Sequence, residues 1–419
     1  MKAYLSSPPL ASIIPTKVSM LLVALVAIVW PSLSFARLTE SSLFGKIDVS
    51  ATARATYDSN VFSMPSNQFS VHKAASSSLE SSGDLILSLT PAAHFTKKIK
   101  LIEIHGTVGA TGAHFVRNRD KSYVNPITNF SIDFDESLSK RISNNGKIRF
   151  DALFDIGQKT ETSVLENDLT SYTFYSAGIN LRYNHSPKFG VGASTTYSYR
   201  DYQSESGVNQ YQDITSALIA GRAFYIYSSK LDFFTEYVYS PTRGGRSANK
   251  TLDATTHTVS LGAQGDLLSK ASGSVRIGYV KKVYANIAFS QDSPSFEADL
   301  SWRLNQKTGV SINLEHSFLP SPQDQSIQST SLGVSLDHRL NERISGDVNL
   351  SWSSSEFTTG AGALANNRSL DMFTIGGSVR KQISGHFSGG TGYSFTSASQ
   401  SVGGNFDRHV LYVEIDGRY

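Results

Sequence analysis

The chain has 419 residues, 39% hydrophobic and only 17% charged, with a formal net charge of +3, no cysteine, 19 Tyr and 23 Phe. Without cysteine there is neither a disulfide framework nor a thiolate metal site, and the near-neutral balance leaves no electrostatic footprint for nucleic acid. Low charge with abundant Ser, Thr, Gly and aromatic residues departs from an ordinary soluble enzyme, yet no stretch is apolar enough for a bundle of membrane helices.

The first element is an apolar run from Val18 to Trp30, preceded by Lys2 and Lys17 and followed by Ser34-Phe35-Ala36. It is shorter than the roughly 20 residues a spanning helix needs. It suits the core of a secretory signal, with cleavage expected before Arg37. Residues 1–36 are therefore read as a signal peptide, 37–43 as a short periplasmic segment and 44–419 as the folded body.

From Phe44 onward, apolar and polar residues alternate in segments separated by breaks rich in Ser, Asn, Gly and Asp, with no helical period. In 46–57, Ile47, Val49, Ala51, Ala53, Ala55 and Tyr57 oppose Lys46, Asp48, Ser50, Thr52, Arg54 and Thr56. In 147–156, Ile148, Phe150, Ala152, Phe154 and Ile156 oppose Lys147, Arg149, Asp151 and Asp155. The expected spans are 45–58, 83–96, 100–115, 126–138, 146–158, 171–184, 189–202, 212–227, 231–240, 255–267, 273–283, 294–304, 308–318, 328–338, 343–354, 370–381, 385–397 and 408–419. The last of these ends on Tyr419 with nothing after it, as a closing membrane strand would. Each span reaches the roughly 9–11 residues that a tilted strand needs to cross a bilayer. The pattern predicts an all-β fold, a transmembrane antiparallel up-and-down β-barrel of about 18 strands, with 16 as the alternative.

Joints after even-numbered strands are brief, such as 97–100, 185–188, 228–230, 305–307, 340–342 and 382–385. The intervening ones, such as 59–82, 159–170, 241–254, 355–369 and 398–407, are longer. Outer-membrane barrels have short periplasmic turns and longer external loops, so both termini are expected in the periplasm. Tyr57, Phe95, Phe115, Tyr183, Tyr239, Phe318 and Tyr419 stand near segment ends and are expected at the headgroup levels. With only 37–43 before the first strand, no periplasmic plug is expected, and 59–82 is long enough to fold inward as a constriction.

Gly-x-Ser-x-Gly, His-Glu-x-x-His and Gly-x-x-x-x-Gly-Lys are all absent, and the ten His are scattered along the chain. No catalytic residue, metal site or cofactor is assigned, and no enzyme activity is expected. The candidate pore-lining residues are Asp48, Arg54, Glu103, Arg149, Asp151, Arg182, Arg200, Arg222, Glu236, Arg276, Glu297, Asp299, Arg303, Glu315, Arg380 and Glu414, each on the polar face of its segment. A charge on the lipid face at mid-bilayer costs roughly 2–4 kcal/mol for Arg or Lys, so this face must be wet or internally paired. Mixed sign argues against a dedicated phosphate or cation channel. The charges then either brace the wall as salt bridges or set a field across a pore.

Tyr57-Asp58-Ser59-Asn60-Val61-Phe62, following Ala51-Thr52-Ala53-Arg54-Ala55-Thr56, resembles the early Tyr-Asp-x-Asn-Val/Ile-Phe signature of the putative beta-barrel porin type 2 family. Leu89-Thr90-Pro91-Ala92-Ala93 is similar to that family's Leu-x-Pro segment. The resemblance covers about Lys46 to Tyr419 and carries Tyr57, Asp58, Asn60, Val61 and Phe62 as motif residues. It implies a Gram-negative outer-membrane barrel with a role near exopolysaccharide production and export. Lipid, lipopolysaccharide and the barrel-assembly machinery are the expected partners, polysaccharide a further one. Tyr419 would be read by that machinery as the assembly signal; Gly417, two places before the end, departs from the usual hydrophobic residue there. The expected function is a water-filled pore for polar solutes, with a conduit or accessory in exopolysaccharide export as its finer form. The alternative is an adhesive barrel whose external loops bind a partner or surface polymer.

Overall fold

The computed structural model describes residues 45–75, 79–99, 102–134, 147–203, 211–245, 251–359 and 368–419. The signal peptide and the 37–43 segment lie outside them. Eighteen strands follow one another: β1 (Lys46–Asp58), β2 (Asp84–Ile99), β3 (Ile102–Phe115), β4 (Tyr123–Phe134), β5 (Lys147–Ser163), β6 (Asp168–Asn184), β7 (Phe189–Tyr202), β8 (Ile214–Ile226), β9 (Leu231–Gly244), β10 (Ala254–Leu268), β11 (Ala271–Tyr284), β12 (Ser290–Arg303), β13 (Thr308–Ser321), β14 (Gln325–Arg339), β15 (Ile344–Thr359), β16 (Arg368–Gln382), β17 (Phe387–Gln400) and β18 (Phe406–Arg418). One helix, α1 (Ser66–Ala75), stands between β1 and β2.

Each strand pairs antiparallel with its sequence neighbours, and β1 pairs with both β2 and β18, so the sheet is a closed barrel. The last rung joins the Val49 and Tyr419 backbones by two hydrogen bonds of 2.9 Å. Closure removes both sheet edges, which hydrocarbon cannot solvate. The alternation sorts side chains as the sequence predicts. Leu87, Ile179, Val259, Leu261, Ile277, Val413 and Ile415 stand exposed on the outer face, Ile277 by 69%. A continuous exposed apolar surface of this kind is a lipid-contacting one.

The two rims differ. Turns after even-numbered strands make one rim. Joints after odd-numbered strands make the other, called here the loop rim. Several loop-rim joints are shorter than the sequence suggests, and two shrink to turns: β5 and β6 leave only residues 164–167 between them, and β13 and β14 only 322–324. The strict alternation of short and long joints therefore fails there, because the strands run on past the bilayer.

These two hairpins also leave the wall. The β4–β5 ladder has its last rung at Ile127 and Gly157, and the β12–β13 ladder at Phe296 and His316. Beyond those rungs β5 and β13 pair only with the next strand, β6 and β14. Gly157 is the eleventh residue of β5 and His316 the ninth of β13, so pairing lapses where a strand has spanned the roughly 9–11 residues that lipid demands. A proline stands just past each last rung, Pro126 and Pro294, and proline cannot donate to a ladder. Phe115 and Phe318, expected at the headgroup levels, turn inward instead: Phe115 is buried beneath the β1–β2 loop and Phe318 lies over Lys282.

Candidate functional site

Charged lumen residues collect into two arcs. On β16, β18 and β1, Arg54 and Arg380 both bond Glu414, at 2.7 Å from Arg380, and Arg380 reaches Asp416 at 3.6 Å. That group holds two cations and two carboxylates. Next to it, Asp48 lies 3.3 Å from Arg418 and 3.2 Å from Lys46. Across the barrel, Glu236 bonds Arg222 and Arg276, Arg276 bonds Glu297, and Arg182 pairs with Asp232 at 2.7 Å. This arc too balances, three cations against three carboxylates.

The remaining candidates are handled rung by rung. Asn180 donates to Asp151 at 3.0 Å and Asn313 to Asp299 at 2.6 Å, while Ser317 donates to Glu315. Glu103 lies 3.7 Å from His105, and Arg200 lies over the Tyr172 ring. Arg149 faces Arg182 across a rung, and Arg303 faces Gly309. Large lumen rings are folded flat over glycine. A Cβ on Gly392 would sit 2.5 Å from the Tyr412 ring, and one on Gly262 would collide with the Phe234 ring. Those rings in turn carry guanidinium groups, Arg54 at 4.5 Å over Tyr412 and Arg222 at 5.5 Å over Phe234, as cation–π pairs do.

The Tyr57–Phe62 motif is an anchor for the loop that follows it. Tyr57 points outward and is 50% exposed, whereas Asp58 is 2% exposed and faces the lumen. Arg408 donates to both Asp58 carboxylate oxygens, at 3.0 and 2.5 Å, and the Asn60 amide donates to the same group at 3.0 Å. Asn60 bridges to both the carbonyl and the amide of Met64. The Val61 carbonyl accepts from Thr162 at 2.8 Å, which ties the loop to β5. Val61, Phe62, Met64 and Leu79 then bury themselves with Ala113 and Phe115 inside the barrel. The far end of the loop is fixed by Asn118, whose side chain accepts from Glu80 and Ser81 and donates to Asp84.

Beneath this loop lies a cavity of about 450 Å³. Hydroxyls of Thr52, Thr56, Ser88, Thr90, Thr111, Thr160 and Thr162 line it, with Phe115, Tyr123 and Leu169 as an apolar side. Its ionic groups, Arg54, Asp58 and Arg408, are already paired.

The inward hairpins meet over this space. In a ring of eighteen, β14 and β15 lie diametrically opposite the β5–β6 junction. Val164 and Leu165 reach that far wall and pack against Ile327, Phe357, Leu370, Ala398 and Phe406. Beside them Glu166, 7% exposed, accepts from the Ser321 hydroxyl at 2.9 and 3.1 Å. Burial pushes the Glu166 carboxyl up to about 7, against the pull of the Ser321 hydrogen bond and the Arg368 charge. The Asn167 side chain sits between the Ser63 carbonyl, 2.9 Å away, and the Gln400 amide, 2.6 Å away. Asp324, at the tip of the β13–β14 turn, accepts from the Thr251 and Leu252 amides at 2.9 and 3.1 Å. Sequence reasoning missed Glu166, Asn167, Ser321, Asp324 and Arg408. The one available signal was the apolar pair Val164-Leu165 at the centre of an otherwise polar joint.

Over residues 47–419 the chain matches the family model described as putative beta-barrel porin 2. No curated protein matches it. Among solved structures it is similar to OccAB4 of Acinetobacter baumannii, at 10% identity over 90% of this chain and 99% of that one, with a TM-score of 0.47. It is similar also to the outer membrane protein opdK of Pseudomonas aeruginosa, at 10% identity over 89% and 99% of the two chains, TM-score 0.47. A third is the siderophore receptor PirA of Pseudomonas aeruginosa, at 9% identity over 89% and 80%, TM-score 0.38. With the match running from β1 to the last residue, the chain belongs to the putative beta-barrel porin 2 family.

Proposed function

We propose that the protein is a Gram-negative outer-membrane pore for neutral, hydroxyl-rich solutes, with a glycan in transit as its cargo. One observation carries the reading: the ion-pair groups around Glu414 and around Glu236 are each internally balanced, while seven Ser and Thr hydroxyls line the cavity between the loop and the wall. Ion-pair groups that carry no net charge give an ion little to bind. Hydroxyl donors and acceptors exchange freely with those of a sugar, and the Phe115 and Tyr123 rings offer an apolar side to its C–H face. In this reading residues 1–36 are removed on export, the loop rim faces outward and both termini lie in the periplasm. Lipid and lipopolysaccharide surround the barrel, and the barrel-assembly machinery inserts it. A part in exopolysaccharide export is the finer form of this reading, and the hydroxyl lining supports it.

The test is proteoliposome swelling with sugars of graded size, set against gluconate and a quaternary ammonium of matched radius. Neutral sugars are expected to enter at least as fast as either ion. Strong preference for one ionic sign, or no entry of any solute, overturns the reading.

A further inference from the structure

We propose that the β5–β6 hairpin is a proton-operated latch, which holds the loop rim shut while Glu166 is neutral and leaves its seat when Glu166 ionises. The geometry is that of a bar across a ring. The hairpin departs from β4 at Gly157, crosses to the wall nine strands away, and ends in an apolar socket that takes Val164 and Leu165. Glu166 is carried into the same seat, where both carboxyl oxygens face one hydroxyl, Ser321. The charged and titratable groups around it are Arg368 on β16, Asp168 on β6 and Tyr202 on β7. Arg368 attracts an ionised Glu166 but forms no ion pair with it among the described residues, and Asp168 adds a like charge, so the burial of a Glu166 charge is only partly offset in the seat.

Backbone strain gathers at the same place. Among the described residues the non-glycine ones with positive φ are Ser63 (49°), Asn167 (52°) and Asp324 (56°). One lies in the β1–β2 loop, and the other two stand at the tips of the inward hairpins. Such conformations persist only where surrounding contacts hold them, and they cluster at parts that switch.

The sign follows from linkage. A carboxyl whose value is near 7 in the shut form and ordinary, 4.5, when released binds its proton more tightly in the shut form. Closure is therefore fully favoured below about 4.5 and is lost as pH rises through 7. The ratio of shut to open changes by about two orders of magnitude over that interval.

The experiment is single-channel recording of the full-length barrel in planar bilayers at pH 5 and pH 8. Openings are expected to become at least tenfold more frequent at pH 8. Glu166→Gln keeps the hydrogen bond without the charge and is expected to stay shut at both. Because the chain has no cysteine, Glu166→Cys with Ser321→Cys can be bridged by a short bis-maleimide, which is expected to abolish opening at pH 8. A conducting wild type with a flat pH profile, a Glu166→Gln variant that keeps the wild-type response, or a bridged protein that still opens overturns the latch and leaves the pore reading intact. A barrel that conducts nothing even when residues 160–171 are replaced by a two-glycine turn overturns both.

Discussion

Asp58 receives the Arg408 guanidinium and the Asn60 amide together while almost wholly buried, so the first residue past the apolar face of β1 also fixes how the following loop leaves the strand. Removing one partner of a buried, hydrogen-bonded ion pair costs about 3–5 kcal/mol. Asp58→Ala is therefore expected to free the β1–β2 loop while the barrel persists, read as new tryptic cleavage after Lys73 with unchanged heat-modifiable migration. Glu236 presents a different balance, since it neutralises Arg222 and Arg276 at once. Glu236→Gln leaves that arc with one net positive charge, and the reversal potential in a salt gradient is expected to move toward anion selectivity. The motif was visible in the sequence as a string of residue types, and the inward direction of Asp58 followed from alternation. Its partner Arg408 lies 350 residues away and becomes adjacent only because the ring closes, which no local pattern reports.

Among the elements, the hairpins illustrate where strand reading stops working. Residues 159–163, Lys-Thr-Glu-Thr-Ser, continue β5 but were expected to be loop. Alternation is imposed by lipid on one side and water on the other, and above the bilayer both faces of a strand are wet. The ladder continues there without its compositional signature. The membrane-spanning parts of all eighteen strands were legible for the opposite reason: one misplaced charge on the lipid face carries a cost of several kcal/mol. Seating of the β5–β6 tip rests on the apolar socket, in which Phe357 is 1% exposed. Truncating a buried Phe costs about 3–5 kcal/mol. Phe357→Ala is expected to raise the open probability at pH 5 well above that of the wild type, with little change in the temperature at which the barrel loses its compact band on a gel.

At the scale of the whole molecule, closure makes the wall a single cooperative sheet whose stability is separate from that of its contents. The rungs between β1 and β18 run from Val49–Tyr419 to Asp58–Val410, so the seal between first and last strands is as long as a bilayer crossing requires. Tyr419 completes it, stacked 4.8 Å from His386 and edge-on to Phe387. Deleting Tyr419 removes the final two hydrogen bonds of the seal and that stack. Slower membrane assembly and a lower unfolding temperature are the expected outcome, measured as the fraction of folded, heat-modifiable protein after refolding into detergent.

The points at which β5 parts from β4 and β13 from β12 set a height above which this protein tolerates no hydrocarbon. Raising the lipid boundary by one strand residue, about 3.3 Å of rise, would submerge backbone donors and acceptors that have no partner across either seam, at several kcal/mol for each group. Restoring those rungs requires the hairpins to swing upright into the wall, and the bar across the ring goes with them. Acyl-chain length is thus expected to act on the seat of the hairpins. More frequent opening is expected in long-chain than in short-chain phosphatidylcholine at one fixed pH.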